Sequence, residues 1–366
     1  MSGGVYVGAD DVTAMIARIF VAAGAGAEEA RAIASNLVGA NLAGHDSHGI
    51  VRVPRYLHWQ KTGVLHFGRQ AEVAIDGGAF ALLDGNNGFG QTVGRQALDM
   101  GIAKAREHGV ALVALRRAGH LGRIGHWAEL ACDAGLVSVH FVNVHESMLV
   151  APFGAADRRI STAPVTIGVV NPTGDDFILD FATSRVAEGK VLVALRGGKK
   201  VPLGALNDGD GQPTSDPHAL YGDLQPGDVP DPREGPGALQ TFGEHKGSGL
   251  ALACELLAGA LTGSGATGPG KRTHNGMFSV YLKPDVLDDG HGFGPAVAAY
   301  IDFVRSAQPA DPAKPVMIPG DPERKARAER LANGLPLPMA TWESIVDAGA
   351  AEGLDRDEMN ALARTK

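Results

Sequence analysis

Thirteen residues from Gly44 to Tyr56, GHDSHGIVRVPRY, bring together a hydroxyl (Ser47), a histidine (His48), an arginine (Arg52) and a tyrosine (Tyr56). A short organic acid is held best by arginine, whose planar fork meets both carboxylate oxygens in fixed geometry. Arg52 follows His48 by four residues, a spacing that places both on one face of a helix. Oxidising a 2-hydroxy acid also needs a base for the hydroxyl proton, and histidine titrates near operating pH. His120 is a second candidate: in GHLGRIGHW it follows the strand-like run Val110 to Leu115 and sits in a turn with Gly119, Gly122 and Gly125. The competing reading makes Ser47 a helix cap and His48 a satisfied structural histidine. Four histidines (His45, His48, His120, His126) in two glycine-flanked clusters weigh against it. The chemistry implied is that of an enzyme acting on small carboxylates.

The elements that must position these groups form an α/β chain. Asp10 to Leu42 reads as two helices split near Gly24, with Ile33, Leu37 and Val38 on an apolar face. A strand from Ala79 to Leu83, the turn GNNGFG and an amphipathic helix from Gln91 to Glu107 follow. Further strands are expected at Val110 to Leu115, Leu136 to Val142, Pro164 to Val170, Phe177 to Phe181 and Met277 to Leu282. Helices are expected at Trp127 to Ala134 and Gly247 to Leu261, and the tail from Pro322 onward is helical and charged. Between Lys199 and Gln240 the chain is rich in Gly, Pro and Asp, an irregular excursion that reads as a lid, an interface loop or a linker.

At 366 residues and 44% hydrophobic content the chain can bury a sizeable core. Its formal charge of -8, with no basic run, argues against binding nucleic acid through backbone phosphates. No apolar run reaches membrane-spanning length, and Asp10 and Asp11 precede the first apolar stretch where a signal peptide would be basic. Cys132 and Cys254 sit in apolar, helix-like surroundings and read as reduced core residues, so a cytoplasmic location is expected. No Cys/His ligand set appears, and no metal is expected.

Glycine is abundant, at 51 residues, so nucleotide motifs need structural context. GSGATG at 263–268 fits the dinucleotide pattern G-x-G-x-x-G but follows a helix instead of a strand, and is rejected. GATGPGK at 265–271 approaches a P-loop, yet Arg272 stands where Ser or Thr must reach magnesium. Two better anion sites exist. LDFATS at 179–184 ends a strand and is expected to open a helix at Thr183 and Ser184, whose free amides could meet a pyrophosphate. HKGSG at 245–249 sets Lys246 at a glycine-rich helix start. Taken singly, each is also what an ordinary helix cap looks like.

GHDSHGIVRVPRY, GHLGRIGHWAE, VAPFG, LDFATS, the Gly189-Lys190 pair, HKGSGLALACELLAGALTG and the late PGD together resemble the type II malate/L-lactate dehydrogenase family, in order, from about residue 10 to 340. The family includes ureidoglycolate, sulfolactate, diketogulonate and hydroxycarboxylate dehydrogenases and cyclic-imine reductases, and HLGRIGHWAE looks nearest to the hydroxycarboxylate enzymes. The resemblance implies a non-Rossmann α/β fold with a mixed, largely antiparallel sheet and packed N- and C-terminal helices, in a homodimer. It divides the chain into an N-terminal segment, 1–75, packing with 310–366, and a dinucleotide-binding core, 76–309, containing the excursion at 199–240. Carried over by motif, His48 and His120 take the catalytic roles, and Arg52, Ser47 and Tyr56 bind substrate. His48, Gly122, Arg123, Ile124, Leu179, Asp180, Phe181, Ala182, Thr183, Ser184, Lys246, Gly320 and Asp321 would line the cofactor, NAD with NADP as the alternative. Asp180 favours a free ribose hydroxyl, whereas Arg123 could accept a 2′-phosphate.

The chain departs from the family pattern in places. Thr162-Ala163-Pro164 replaces the common T-N-P, Ala155 follows Gly154 where a second glycine is usual, and His145 and Glu146 stand where smaller residues are common. These changes bear on the substrate more than on the reaction class. The expected activity is interconversion of a small 2-hydroxy acid and its 2-oxo acid, with reduction of a cyclic imino acid as the alternative.

Overall fold

The computed structural model describes residues 4–223, 231–270 and 274–365. Part of the excursion (224–230) and Lys271 and Arg272 of the rejected P-loop lie outside the described residues.

Strand β1 (Gly4–Val7) leads into helices α1 (Ala9–Ala22) and α2 (Ala27–Leu42), which turn at Gly24, where φ is +103°. The next helix, α3 (Val53–Lys61), is reached through two short 3-10 turns at Asp46–His48 and Ile50–Arg52. A hairpin of β2 (Glu72–Gly77) and β3 (Phe80–Asp84), helix α4 (Gly90–His108), strand β4 (Val110–Ala118), helix α5 (Gly125–Asp133) and strands β5 (Val137–Val144), β6 (Pro164–Val169) and β7 (Phe177–Ala182) follow. Helix α6 (Glu188–Arg196) opens the excursion, which holds two-residue strands β8 (Leu206–Asn207), β9 (Pro213–Thr214) and β10 (Ala238–Leu239) and the short helix α7 (His218–Tyr221). The chain then runs through α8 (His245–Cys254), β11 (Asn275–Leu282) and α9 (Phe293–Arg305). It ends with α10 (Asp321–Asn333), β12 (Leu335–Pro338), α11 (Met339–Ala351), α12 (Arg356–Asn360) and β13 (Ala363–Thr365).

Seven strands form the main sheet in the order β2-β3-β4-β11-β5-β6-β7. Its pairings are antiparallel except β3 with β4, so the sheet is mixed and largely antiparallel, as the resemblance implied. Glycine permits the close packing of α4 on this sheet: a Cβ on Gly101 would strike the buried Tyr281 ring. A second sheet, β12-β1-β13, ties the two ends of the chain together. Val5, Ile16, Ile19, Phe20, Ile33 and Leu37 share one apolar core with Leu335, Trp342, Ile345 and Met359, so the N- and C-terminal helices bury a common face.

Three local expectations are corrected. His48 and Arg52 do not share one helix, because the chain breaks at Gly49 (φ -89°, ψ -153°) between the two 3-10 turns. The Asn41 side chain causes the break: its Oδ1 accepts the Ile50 N–H at 2.8 Å and fills the space a Gly49 Cβ would need. Thr183 and Ser184 do not open a helix. The Thr183 N–H is spent on the Thr162 carbonyl at 3.0 Å, and Ser184 bridges to Thr241, so the helix starts only at Glu188. The helix expected over Gly247 to Leu261 begins two residues earlier and changes at Glu255 to a π-helical segment, Glu255–Leu261. There the buried Glu255 carboxylate accepts the Ser161 N–H (3.1 Å) and hydroxyl (2.7 Å), the Asn143 amide (3.1 Å) and the Thr267 N–H (2.8 Å).

Candidate active site

Two glycine turns set the geometry. In GNNGFG, Asn86 and Asn87 adopt left-handed φ of 51° and 54°, and the turn locks onto the His120 turn. The Gly119 N–H donates to the Gly88 carbonyl at 2.8 Å and the Asn87 N–H to the Arg117 carbonyl at 2.9 Å. A Cβ on Gly90 would strike the His120 carbonyl, so only glycine lets the start of α4 approach this closely. The result sets Gln91 beside His120.

Tyr56, fully buried on α3, places its hydroxyl 2.6 Å from His120 Nδ1. The Gln91 Nε2 donates to the Tyr56 oxygen at 3.0 Å and to the His120 carbonyl at 3.2 Å. The His48 ring stacks on His120 with centroids 5.6 Å apart and planes 16° from parallel, and its Nδ1 lies 3.1 Å from the Ser47 hydroxyl. Arg52 donates from Nε to the Ser47 carbonyl at 2.7 Å, which anchors its stem and leaves the Nη pair without a protein partner among the described residues. Burial and the Arg52 charge pull His48 down to about 3, and the same two causes hold His120 well below the ordinary histidine range. Burial pushes Tyr56 up to about 12. Both histidines are therefore neutral and Tyr56 keeps its proton at neutral pH.

These groups open on a cavity of about 1390 Å³. Ser47, His48, Arg52, His120, Gly122, Arg123, Ile124, Asp180, Phe181, Ala182 and Ser184 line it, with Tyr56 directly behind His120. Leu179, Thr183, Lys246, Gly320 and Asp321 are not among its lining residues. Thr183 is buried just after β7, and Lys246 is exposed in the first turn of α8. Asp321 caps its own neighbourhood, accepting from Arg305, from Arg324 at 2.7 Å and from the Ile318 N–H at 2.9 Å. Asp180 lines the cavity with both oxygens engaged, by the Gly125 N–H at 2.8 Å and the Thr166 hydroxyl at 2.9 Å. Arg123 pairs with Glu129, while its Nε and Nη1 are buried without a partner among the described residues.

Sequence reasoning missed Gln91, Arg55, Glu188 and Arg233, all close to this centre. Arg55, Glu188 and Arg233 line the cavity, and the start of α6 at Glu188–Lys190 is the helix terminus that faces it. Its placement was readable only from the Gly189-Lys190 pair: a Cβ on Gly189 would crowd Ser47. Among the departures from the family pattern, Glu146 lines the cavity, whereas His145 stacks on His274 with centroids 4.5 Å apart. Ala163 is fully buried in an apolar cluster with Leu149, Val150 and Val165, although its flanking residues Thr162 and Pro164 reach the cavity.

The model of the malate/L-lactate dehydrogenase family matches residues 7–346. The chain belongs to the malate/L-lactate dehydrogenase family. It is 38% identical to hydroxycarboxylate dehydrogenase B of Escherichia coli (strain K12), across 100% of this chain and 99% of that protein. Among solved structures, the sulfolactate dehydrogenase from Methanocaldococcus jannaschii superposes with a TM-score of 0.83 at 29% identity, covering 96% of this chain and 99% of the other. The delta1-piperideine-2-carboxylate reductase from Pseudomonas syringae superposes with a TM-score of 0.80 at 31% identity, covering 94% and 99%. The chain is thus an oxidoreductase of the hydroxy acid dehydrogenase family, whose dehydrogenases depend in general on nicotinamide cofactors. No helix among the described residues is long and apolar enough to cross a membrane.

Proposed function

We propose that the protein interconverts a small 2-hydroxy acid and its 2-oxo acid with NAD. The observation that carries this reading is the unspent Nη pair of Arg52 beside the stacked His48 and His120, an end-on fork for a carboxylate next to two neutral imidazoles. The cavity suits a dinucleotide in size, exceeding the 300–1,000 Å³ or so of a drug-sized site. Arg123, with two buried N–H groups unpartnered among the described residues, the Glu188 and Gly189 N–H groups at the start of α6 and the Lys190 ammonium supply donors for its phosphates. When bound, the nicotinamide supplies or accepts the hydride at the substrate C2. Arg52 holds the carboxylate, Ser47 orients His48, and the His48–His120 pair exchanges the proton with the C2 oxygen, His120 Nδ1 taking up or returning the Tyr56 proton in step so that the ring stays neutral. Glu129 offsets the Arg123 charge, which favours NAD over the 2′-phosphate of NADP.

On this reading 1–75 with 310–366 carries the substrate side and 76–309 the dinucleotide. We also place the protein in the cytoplasm, where the buried thiols Cys132 and Cys254 stay reduced. We further propose a homodimer through the exposed apolar side chains Leu252, Leu256 and Leu261, which are 45%, 63% and 62% exposed along one helix. Leu256→Asp should shift the mass in sedimentation equilibrium to the monomer, and a wild-type monomer would remove the proposal.

The likeness to the piperideine-carboxylate reductase favours a second reading, reduction of a cyclic imino acid held by the same Arg52. The deciding experiment follows nicotinamide absorbance with NADH and NADPH separately against panels of 2-oxo acids and cyclic imino acids. Turnover of 2-oxo acids with NADH is expected. Turnover of cyclic imines alone would establish the second reading, and inertness toward both panels would defeat both.

A further inference from the structure

The geometry points to Gln91 as a positioning residue that decides which nitrogen of His120 carries the proton. The inference rests on the reading in which His120 meets the C2 oxygen of the substrate.

Gln91 is 3% exposed, in the first turn of α4. Its Nε2 donates to both the Tyr56 oxygen and the His120 carbonyl. A carbonyl has no proton to give, so the amide cannot be turned over, and its nitrogen, not its oxygen, must face Tyr56. The Tyr56 oxygen is therefore an acceptor toward Gln91, and its single proton is left for His120 Nδ1 at 2.6 Å. No rival for that proton exists in the amide, because Gln91 Oε1 is buried without a hydrogen-bond partner among the described residues. With Nδ1 accepting, the neutral ring must hold its own proton on Nε2. The charged and titratable groups facing the ring are His48, Arg52, Arg55 and Tyr56, and the two arginines disfavour a second proton on it.

The consequence is directional. A His120 with an Nε2–H greets the carbonyl oxygen of a 2-oxo acid as a hydrogen-bond donor, whereas a hydroxyl arriving at the same place would need an acceptor. The free protein is preset for the 2-oxo acid. Gln91 sets this through Tyr56 without touching the substrate.

The test is tautomer-sensitive ¹⁵N NMR of histidine-labelled free protein. In the wild type, His120 should show a protonated Nε2 and an unprotonated, hydrogen-bonded Nδ1. Gln91→Glu replaces the donor by a carboxylate that takes the Tyr56 proton, so the Tyr56 oxygen must accept from His120. The ring proton should move to Nδ1, and kcat with a 2-oxo acid should fall about 100-fold while KM changes less than about threefold. An Nδ1 proton in the wild type, or an Nε2 proton retained in Gln91→Glu, would overturn the inference. Should that variant not fold, Tyr56→Phe serves: the Nδ1 resonance should move to that of an unbonded ring nitrogen, and an unchanged resonance would overturn it. The NMR needs no substrate. A wild type with the Nε2–H ring but no turnover sinks the function alone, whereas turnover with an Nδ1–H ring sinks this inference alone.

Discussion

His120 and His140 flank the same central strand, one after β4 and one within β5, and both titrate far below an ordinary histidine because they are buried. Their surroundings differ in what is left over. His140 is 0% exposed and spends both ring nitrogens, on the Ser279 hydroxyl at 2.8 Å and the Ser138 hydroxyl at 3.0 Å. Among the described residues His120 spends only Nδ1, on Tyr56, and the ring lines the cavity together with Arg52. A depressed pKa therefore does not mark a site by itself. The mark is an unspent nitrogen at the wall of a cavity with a guanidinium beside it whose Nη pair has no partner among the described residues.

Substitution breaks the comparison most sharply at His120. His120→Asn should lower kcat with the preferred 2-oxo acid by about 10³-fold, since a positioned proton donor is lost, and should also cost about 1 kcal/mol of stability because the buried Tyr56 hydroxyl loses its acceptor. A normal rate would transfer the proton to His48. Next in size is Arg52→Lys, expected to cost about 100-fold in kcat/KM because the charge stays but the fork does not. Steady-state kinetics decide it, and full activity would refute the clamp. His140→Asn should do the opposite of both: activity retained, with about 2 kcal/mol lost in urea unfolding as the serine hydroxyls lose their partner. Equal loss of activity in the His140 and His120 variants would erase the distinction.

Much of this contrast was legible in the sequence, because strands and glycine turns leave local signatures. The runs at Val110 to Leu115 and Leu136 to Val142 fall within β4 and at the start of β5, and the glycines around His120 announced a turn. His48, Arg52 and His120 do meet across 72 residues of chain. What stayed hidden depends on tertiary partners. Gln91 in an amphipathic helix reads as a surface residue, and only the Gly90 approach to His120 buries it. The break at Gly49 follows from Asn41 on another helix. Lys246 does lie at a helix start, as its motif implies, and Gly320 and Asp321 sit where α10 begins, but a motif does not tell which way a helix end faces. Ala163 looked like a change in the pocket, and its side chain belongs to the core.

The smallest predicted effect tests His140 through pH. Burial lowers it to about 3 in the folded protein, against about 6.5 in an unfolded chain. Between those values the unfolded chain binds a proton that the folded protein refuses, so stability must rise with pH in that window. The contribution is complete above about pH 6.5 and drains away as pH falls toward 3. From about pH 7.5 to 5.5 this one group should cost the wild type about 1 kcal/mol in urea unfolding, and His140→Asn should remove that share of the slope. His48, at about 3, and His126, at about 4, add slopes of the same sign, so the variant's curve should flatten without becoming level. A variant curve parallel to the wild type would mean that the His140 ring takes up its proton in place, and the serine-clamped histidine would no longer be the inert member of the pair.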